Sequence, residues 1–191
     1  MEKFHYNKIT KESGFSLIEV LAALVILSVV TLALTAFFVN SMAYAKGNQN
    51  KTVMVNLARN ALVYMEKQAF YPIAQYFNPD SESDGTPSDV IACDLVGETP
   101  DCSDIEGLVT DPSALSGVFH PEINDIKYAL TIEYQRDLHN SDTMLNSSNE
   151  DTKKMAKLLI PIKVIVKRQD GREGNRNKTE VEGYITSERI R

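Results

Sequence analysis

Glu19 is the side chain whose setting most clearly calls for chemistry. It is the only ionisable residue in an apolar block of 25 residues, 15–39, and the next charge along the chain is Lys46. A carboxylate in apolar surroundings attracts a cation by about 4 kcal/mol at 4 Å, for an effective dielectric constant of 20 and before desolvation costs. Glu19 therefore predicts a cationic partner in the same apolar setting.

Cys93 and Cys102 are the second pair of residues with a chemical use. They enclose the eight residues 94–101. In a domain outside the cytoplasm they are expected to form a local disulfide that fixes the shape of the enclosed loop. Two cysteines alone are too few for a zinc site.

An acidic run offers a weak calcium site. Asp80, Glu82 and Asp84 resemble the opening of a calcium-binding loop, but the twelfth position is Ile91, where an EF-hand has a bidentate Glu. A solvated acidic turn is the alternative. Residues 68–126 contain twelve Asp and Glu and no Lys or Arg, so calcium held in another geometry also stays open.

The sequence contains no recognisable catalytic arrangement. The three histidines are His5, His120 and His139, and none lies in an HExxH motif; GxSxG, GxGxxG and GxxxxGK[ST] are also absent. A net charge of −6 opposes broad contact with nucleic acid. We therefore predict a protein that is not an enzyme, needs no cofactor and binds no nucleic acid.

The apolar block predicts a membrane anchor. As a helix it would be about 37 Å long, enough for the ~30 Å core of a bilayer. It is too long for the apolar region of a cleaved secretory signal, and no A-x-A site follows it. A buried core helix, the other alternative, is seldom so long and apolar on every face. The hydroxyls of Ser28, Thr31 and Thr35 are expected to bond to carbonyl oxygens one turn earlier.

Beyond the anchor the helix is predicted to continue. Apolar residues recur at spacings of three and four from Met54 to Met65, and no proline occurs before Pro72. One helix over 15–68 would be about 80 Å long. Its second half is expected to pack on a sheet of the same chain.

The C-terminal third predicts that sheet. Three segments with alternating apolar residues read as strands: 127–135, 158–167 and 181–190. Pro161 belongs at a sheet edge or near a strand's start, because it cannot donate to the ladder. Consecutive strands indicate an antiparallel meander with one face on the long helix, an α+β fold. A basic loop, solvated or facing an anionic partner, contains Arg168, Arg172, Arg176 and Lys178.

The N-terminal residues carry a recognisable pattern. Residues 14–20 read GFSLIEV and are followed by LAALVILSVVTLAL, after a leader with three lysines and two glutamates. This combination resembles the N-terminus of type IV prepilins and of type II secretion pseudopilins. The resemblance implies that a prepilin peptidase cleaves between Gly14 and Phe15, that Phe15 is then N-methylated, and that Glu19 is the hallmark glutamate of the family. The proline found in the apolar segment of many major pilins is missing here.

Glu19 then gains a candidate partner. Cleavage creates an amine on Phe15, and we expect Glu19 of one subunit to pair with the Phe15 amine of a neighbouring subunit. The alternative is a pair within one chain, because the two groups lie only about 6 Å apart along one helix.

The resemblance also implies a function. The implied function is that of a minor type IV pilin. Such a protein is a structural subunit that prepilin peptidase processes and that is added to a pilus through its apolar helix, at initiation or at the tip. Its partners would be other pilin subunits, the peptidase and the assembly platform of the inner membrane, which it would cross once with its leader in the cytosol. A pseudopilin of a type II secretion pseudopilus is the first alternative. A membrane-tethered binding module that never polymerises is the second.

Resemblance and periodicity together divide the chain into five parts. They are the prepilin leader 1–14, the transmembrane and assembly helix 15–39, its amphipathic continuation 40–70, an acidic loop-rich region 71–126 and the antiparallel sheet of the headgroup 127–191.

Overall fold

A long helix and a small antiparallel sheet make up the fold. The computed structural model describes residues 14–77, 88–169 and 177–191. Helix α1 spans Leu17–Glu66. The chain divides into two compact units, Met1–Lys46 and Gly47–Arg191, and α1 contributes to both. The predicted α+β class is confirmed.

The apolar part of α1 satisfies its own polar groups. The hydroxyls of Ser28, Thr31 and Thr35 donate to the carbonyl oxygens of Leu24, Leu27 and Thr31 at 2.7–2.8 Å. Each bond reaches one turn back, as predicted. No side chain from 14 to 49 is buried. Residues 17–39 of the helix therefore present an almost wholly apolar surface, with the hydroxyls of Ser28, Thr31 and Thr35 already bonded.

The second half of α1 forms part of the headgroup core. The buried positions Met54, Ala58, Ala61 and Met65 follow one face of the helix. Two alanines on that face allow the helix backbone to approach the sheet closely. Leu62 lies beside this stripe, and its side chain covers the backbone of Gly183 in the sheet. The predicted packing of this half on the chain's own sheet is confirmed.

Both ends of α1 lie two residues inside the predicted range 15–68. At the C-terminal end, Nε2 of Gln68 donates to the carbonyl oxygen of Tyr64 at 2.8 Å, and its Oε1 accepts from N of Thr110 at 2.9 Å. Gln68 is buried with both ends of its amide bonded. Its side chain closes the helix and joins it to a loop far along the chain.

Helix α2, Phe70–Phe77, follows directly. Pro72 lies in its first turn, where the missing N–H costs no helical bond. The amide N of Phe70 donates to a carboxylate oxygen of Glu188 at 2.8 Å. This bond lowers the pKa of Glu188 and links the start of α2 to the C-terminal end of the chain.

The sheet contains the predicted meander. Strands of the described residues are β1 (Val90–Ile91), β2 (Asp94–Val96), β3 (Thr99–Asp101), β4 (Glu122–Ile123), β5 (Ile126–Tyr134), β6 (Leu159–Arg168) and β7 (Lys178–Thr186). The main sheet has the order β1-β5-β6-β7, all antiparallel, and β4 pairs with β5. Strands β2 and β3 pair with each other. The three long strands are the three that the alternation predicted.

Strand β6 is the central strand. It lies between β5 and β7 and is buried on both faces over most of its length. Pro161 is its third residue, near the start as expected, and faces Tyr184 in the register. Its carbonyl oxygen accepts from N of Gln135 at 2.9 Å. A proline fits here because it occupies the beginning of the ladder.

The position of the last strand was predicted wrongly. The alternation indicated 181–190, whereas β7 is Lys178–Thr186. Residues after Thr186 turn instead, with N of Ile190 donating to the carbonyl oxygen of Ser187 at 3.1 Å. Glu188 in this turn bonds to Phe70, so a long-range contact competes with strand extension.

The turn between β4 and β5 consists of Asn124 and Asp125. Both have positive φ, 52° and 61°. Two consecutive residues of this kind form a type I′ hairpin turn, for which Asn and Asp are favoured.

Two short helices lie between β5 and β6. They are α4 (Arg136–His139) and α5 (Glu150–Ala156), with a one-turn helix α3 (Leu115–Phe119) earlier in the chain. His139 is buried between them and the sheet: its Nδ1 lies 2.6 Å from the hydroxyl oxygen of Tyr134, and its Nε2 donates to the carbonyl oxygen of Ala156 at 2.9 Å. Burial lowers the pKa of His139.

The contact of Leu62 with Gly183 predicts a coupled pair of substitutions. A Cβ added at Gly183 would lie 2.6 and 2.7 Å from the two Cδ atoms of Leu62. Gly183→Ala should therefore lower the free energy of unfolding by about 1–3 kcal/mol through overpacking. In a Leu62→Ala background the same change should cost much less. Thermal unfolding of the four full-length variants in detergent, followed by circular dichroism, measures the coupling. Equal costs in both backgrounds would contradict the contact.

His139 predicts a loss of stability in mild acid. An unfolded histidine has a pKa of about 6.5, and the folded value is lower. The unfolded state therefore binds the proton first, so this contribution is complete above that pH and is lost as the pH falls through it. The midpoint of unfolding of the wild-type chain should fall more between pH 7.5 and pH 5 than that of His139→Gln, which lacks the titrating group. Parallel pH profiles for the two proteins would rule out this role.

Candidate functional site

The start of α1 is the first candidate site. Ser16 precedes Leu17, the first helical residue. Its Oγ accepts from N of Glu19 at 3.3 Å, and its carbonyl oxygen accepts from N of Glu19 and N of Val20 at 3.1 and 3.3 Å. A serine that bonds in this way to the third helical residue is an N-cap. Ser16 therefore fixes where the helix begins.

Ser16 is the functional neighbour that the sequence analysis missed. Ser16 and Glu19 have the spacing S-x-x-E of a capping box, in which an N-cap serine and a glutamate or glutamine in the first turn satisfy helix-start N–H groups. The motif immediately precedes an apolar run and could have been found from sequence. The structure contains the serine half of such a box, because N of Glu19 donates to Oγ of Ser16. The spacing gives the Glu19 side chain a candidate role at the helix start in addition to its charge.

Glu19 lies in the first turn of α1. A negative charge is favoured there, because unbonded N–H groups and the helix macrodipole make the N-terminal end positive. Around it, Phe15, Val20, Ala23, Leu24 and Leu27 line a shallow groove on the helix surface. The carboxylate is thus held at a defined height on an apolar surface, where an incoming cation would meet little competition from other charges.

The peptide bond between Gly14 and Phe15 precedes the helix. Residues 14–16 are neither helix nor strand, and the side chain of Phe15 is 83% exposed. A protease needs an extended segment that it can reach, and this one is not tied into the ladder of α1. In the uncleaved chain the nitrogen of Phe15 is a neutral amide, so a cation arises at this position only if the bond is cut.

The apolar segment of α1 after Glu19 has a surface whose exposure to water is unfavourable. In the described part of the chain, α1 is the one helix long and apolar enough to cross a membrane, and no residue of its apolar segment is buried. An uncovered apolar surface of this size marks a contact with lipid or with other protein. The N-terminal unit thus has an apolar stem with one carboxylate near its tip.

The cysteines form the second candidate site. Cys93 and Cys102 are joined by a disulfide. They stand immediately before β2 and after β3, so the bridge closes the base of the β2–β3 hairpin. Nε2 of His120 donates to the carbonyl oxygen of Cys93 at 3.0 Å, and Cys93 belongs to the buried core. The hairpin is therefore fastened to the headgroup at its base.

The calcium candidates cannot be placed. Asp80, Glu82 and Asp84 lie outside the described residues, as do His5, Arg172 and Arg176 of the other sequence predictions. Among residues 14–77, 88–169 and 177–191, no group of three or more His, Cys, Asp or Glu could hold a metal ion. Lys178 of the basic loop begins β7 and pairs with Glu180 at 2.5 Å.

The two described histidines have structural partners. His120 lies between Cys93 and Gln169, whose Nε2 is 3.2 Å from His120 Nδ1. His139 lies between Tyr134 and Ala156. Both rings thus connect separate segments of the headgroup.

Comparison with known proteins places the first of these sites in a family context. No curated protein and no solved structure matches the chain. A family model described as a prokaryotic N-terminal methylation motif matches residues 9–35, a range that contains Gly14, Phe15, Ser16 and Glu19. The chain therefore carries the prepilin-type signature of type IV pilins and pseudopilins.

Proposed function

We propose that this protein is a minor type IV pilin, a structural subunit that prepilin peptidase processes and that enters a pilus through its apolar helix, at initiation or at the tip. The observation that carries the proposal is the coincidence of three features in one segment. The methylation motif, a non-helical junction at Gly14 and Phe15, and an uncovered apolar helix with a single carboxylate all fall within residues 9–39.

The chemistry of processing explains why these features belong together. Hydrolysis of the bond after Gly14 leaves a carboxylate on Gly14 and an amine on Phe15. The amine is protonated at neutral pH, since an α-amino group has a pKa of about 7.7–8.0. N-methylation leaves a nitrogen that can still carry a proton. Processing therefore removes residues 1–14 and places one cation at the tip of an apolar stem that already holds one anion.

The cation and anion select a register rather than supply much stability. Desolvation of the two groups offsets most of their attraction in an apolar medium. An unpaired carboxylate in a bilayer is nevertheless costly, by about 2.5–3.5 kcal/mol at the centre on insertion scales. A subunit whose Glu19 meets the Phe15 amine of a neighbour avoids that cost in one alignment only, and misaligned neighbours leave both charges unpaired.

The five parts of the chain then take distinct roles. The leader 1–14 stays in the cytosol until cleavage, and 15–39 anchors the subunit in the inner membrane and later packs in the filament. Residues 40–70 connect this stem with the headgroup, which is composed of 71–126 and 127–191. The partners of the whole subunit are the prepilin peptidase, the assembly platform of the inner membrane and other pilin subunits.

Processing at Gly14 is the first prediction of this function. When the chain is co-expressed with a prepilin peptidase, intact-mass spectrometry should find a product that begins with N-methylated Phe15. A Cβ at Gly14 meets nothing within 4 Å, so Gly14→Val should fold normally. It should block cleavage, because the resemblance to prepilins implies that the peptidase cuts after a glycine. The melting temperature of Gly14→Val should equal that of the wild type. This variant then serves as the uncleaved control, because its loss of cleavage does not result from misfolding. A wild-type chain that still begins with Met1 while the peptidase cleaves another prepilin would favour a tethered module and contradict the proposal.

Two substitutions of Glu19 separate charge from helix capping. Glutamine serves in a capping box as well as glutamate does, so Glu19→Gln keeps the local helix start and removes the charge, whereas Glu19→Ala removes both. Both variants should insert into the membrane, and both should enter filaments at a small fraction of the wild-type amount because the ion pair is lost. Immunoblots of the membrane and of sheared filaments measure the two steps.

The glutamine variant decides between the two roles of Glu19. If Glu19→Gln assembles like the wild type and only Glu19→Ala fails, helix capping and not pairing with the amine is the function of this residue. Wild-type assembly by both variants would remove Glu19 from the assembly site altogether.

A further inference from the structure

Strand β7 forms one edge of the main sheet. In the described part of the chain its nine residues pair only with β6, in a register that is unbroken from Lys178 to Thr186. The strand therefore has no bulge, and its sequence contains no proline. Short length, bulges and prolines are features with which soluble proteins commonly protect a sheet edge from a further strand. The outer side of β7 lacks all three.

The hydrogen bonds to β6 show which backbone groups of β7 face outward. N of Ser187 donates to the carbonyl oxygen of Leu158 at 2.9 Å, and N of Arg168 donates to that of Asn177 at 3.1 Å. In an antiparallel pair, residues that exchange such bonds alternate with residues that do not. The odd-numbered residues of 179–185 therefore bond to β6, and the even-numbered residues of β7 point their N–H and C=O groups away from the sheet.

Three consecutive outward residues are Glu180, Glu182 and Tyr184. A bond at the end of the strand agrees with this assignment, because Nη2 of Arg191 donates to the carbonyl oxygen of Thr186, the next outward group, at 2.9 Å. The N–H and C=O groups of the three residues have no such partner among the described residues. Their side chains are exposed as well. We call these three residues the β7 edge.

The backbone of the β7 edge is matched by another strand. Its three outward residues follow each other at about 6.6 Å, twice the rise of a strand. A helix has unbonded N–H or C=O groups only at its ends and cannot match a row of this length. An extended segment that adds to the sheet satisfies the whole row, which is a common way for a sheet edge to bind a partner.

The charges on the sheet indicate which strand fits. Glu133 of β5, Lys163 of β6 and Glu182 of β7 lie directly opposite one another, so negative and positive charges alternate across three strands. Nζ of Lys163 is 3.8 Å from carboxylate oxygens of both Glu180 and Glu182, and Glu180 has a second cation in Lys178. A lysine or arginine opposite Glu182 on an added strand continues the alternation and gives Glu182 a cation of its own.

Apolar contacts complete the description of the partner strand. Tyr184 is 43% exposed at the outer end of its row. On the other face of β7, Val181 packs against the core but is only partly buried. A strand beside β7 covers both side chains if it carries apolar residues next to them. The partner is therefore a half-buried strand that contains a basic residue on the face of Glu182.

A second copy of β7 does not meet this requirement. Antiparallel pairing of two such edges places outward residues opposite outward residues. The fullest overlap puts Glu182 opposite Glu182, and the next register in one direction puts Glu182 opposite Glu180. Like charges that lie directly opposite each other are destabilising. The charge pattern thus selects against a contact between two β7 edges.

We propose that the β7 edge binds an extended strand from the headgroup of a different pilin subunit, with a lysine or arginine opposite Glu182 and an apolar side chain beside Tyr184. The inference rests on the proposed function, in which the neighbours of this subunit are other pilins. The added strand continues the sheet order β1-β5-β6-β7 across the boundary between the two headgroups. It gives the headgroup a directional contact in addition to the apolar stem.

Photo-cross-linking from the edge tests this contact. p-Benzoylphenylalanine replaces Tyr184, an aromatic residue for an aromatic one, in the full-length chain, and filaments are irradiated after shearing from cells that also produce the other pilins. Mass spectrometry should locate the link in a different pilin, within an alternating apolar segment that has a lysine or arginine two residues from the linked position. The same probe at Met155 of α5, which is 48% exposed, is the control position.

Two substitutions of Glu182 separate backbone pairing from charge. Because its N–H is not bonded to β6, Glu182→Pro should fold, as proline is tolerated at a sheet edge. It should lower the yield of the link about ten-fold, because it removes a ladder donor as well as the charge. Glu182→Gln keeps the N–H and should lower the yield about two- to five-fold, the effect of an exposed ion pair. Links from the probe at Met155 should be unchanged in both variants.

Amide hydrogen exchange of the wild-type chain gives a measurement that does not depend on the proline variant. In the full-length subunit in detergent, the amides of Glu180, Glu182 and Tyr184 should exchange about ten-fold or more faster than those of Val181 and Gly183, which are bonded to β6. In filaments both sets should be slow. Outward amides that stay fast in filaments would overturn the proposal even if Glu182→Pro does not fold.

The outcomes distinguish this proposal from the function on which it rests. Chains that begin at Phe15 and enter filaments, yet link from residue 184 to no subunit or only to a second copy, would overturn the strand addition and leave the pilin function intact. A link whose yield is the same in Glu182→Pro as in the wild type would do the same. Chains that are never processed or incorporated would instead contradict the proposed function.

Discussion

The structure depends on an apolar helix surface that no other described part of the chain covers. Every residue from 14 to 49 is exposed, and Glu19 is the one charge between Phe15 and Lys46. Burial of such a surface is favourable by about 25 cal/mol per Å², so the stem requires lipid, other stems, or each in turn. A pilin needs both environments. The bonded hydroxyls and the N-cap at Ser16 make the stem suitable for either, because its backbone and hydroxyl groups do not depend on solvent.

Much of this arrangement could be predicted from the sequence because it depends on local pattern. The apolar block, the back-bonded hydroxyls, and the three long strands follow from periodicity that a 25-residue or 10-residue window already contains. The helix start could also have been predicted, since Ser16 and Glu19 have the S-x-x-E spacing of a capping box and Ser16 is the N-cap. The family signature is equally local, covering residues 9–35.

The remainder depended on contacts between residues far apart in sequence. The C-terminal strand ends at Thr186, opposite the first residue of β6, and Glu188 just beyond it bonds to Phe70, more than a hundred residues before it. Strands β1 to β4 are two or three residues long, too short to show alternation, and exist only where β5, a disulfide or a type I′ turn holds them. Helix α2 lies in a region whose prolines suggested loops, because Pro72 falls where a first turn accepts it. Tertiary context decided each of these cases.

The apolar stem and the headgroup therefore differ in what they can contribute to assembly. In the proposed pilin, the stem would use an apolar surface and the ion pair of Glu19. Any subunit with the same N-terminal signature could share both, so they would provide alignment but little choice of neighbour. Choice must come from surfaces that differ between subunits. In the headgroup, a disulfide closes the β2–β3 hairpin, and the side chains of Asp94, Val96, Thr99 and Asp101 on it are exposed. Exposed side chains on a closed hairpin can select a partner by charge and shape without disturbing the core, whereas the central strand β6 is buried on both faces. The hairpin is therefore a part of the headgroup that we expect to distinguish one neighbour from another.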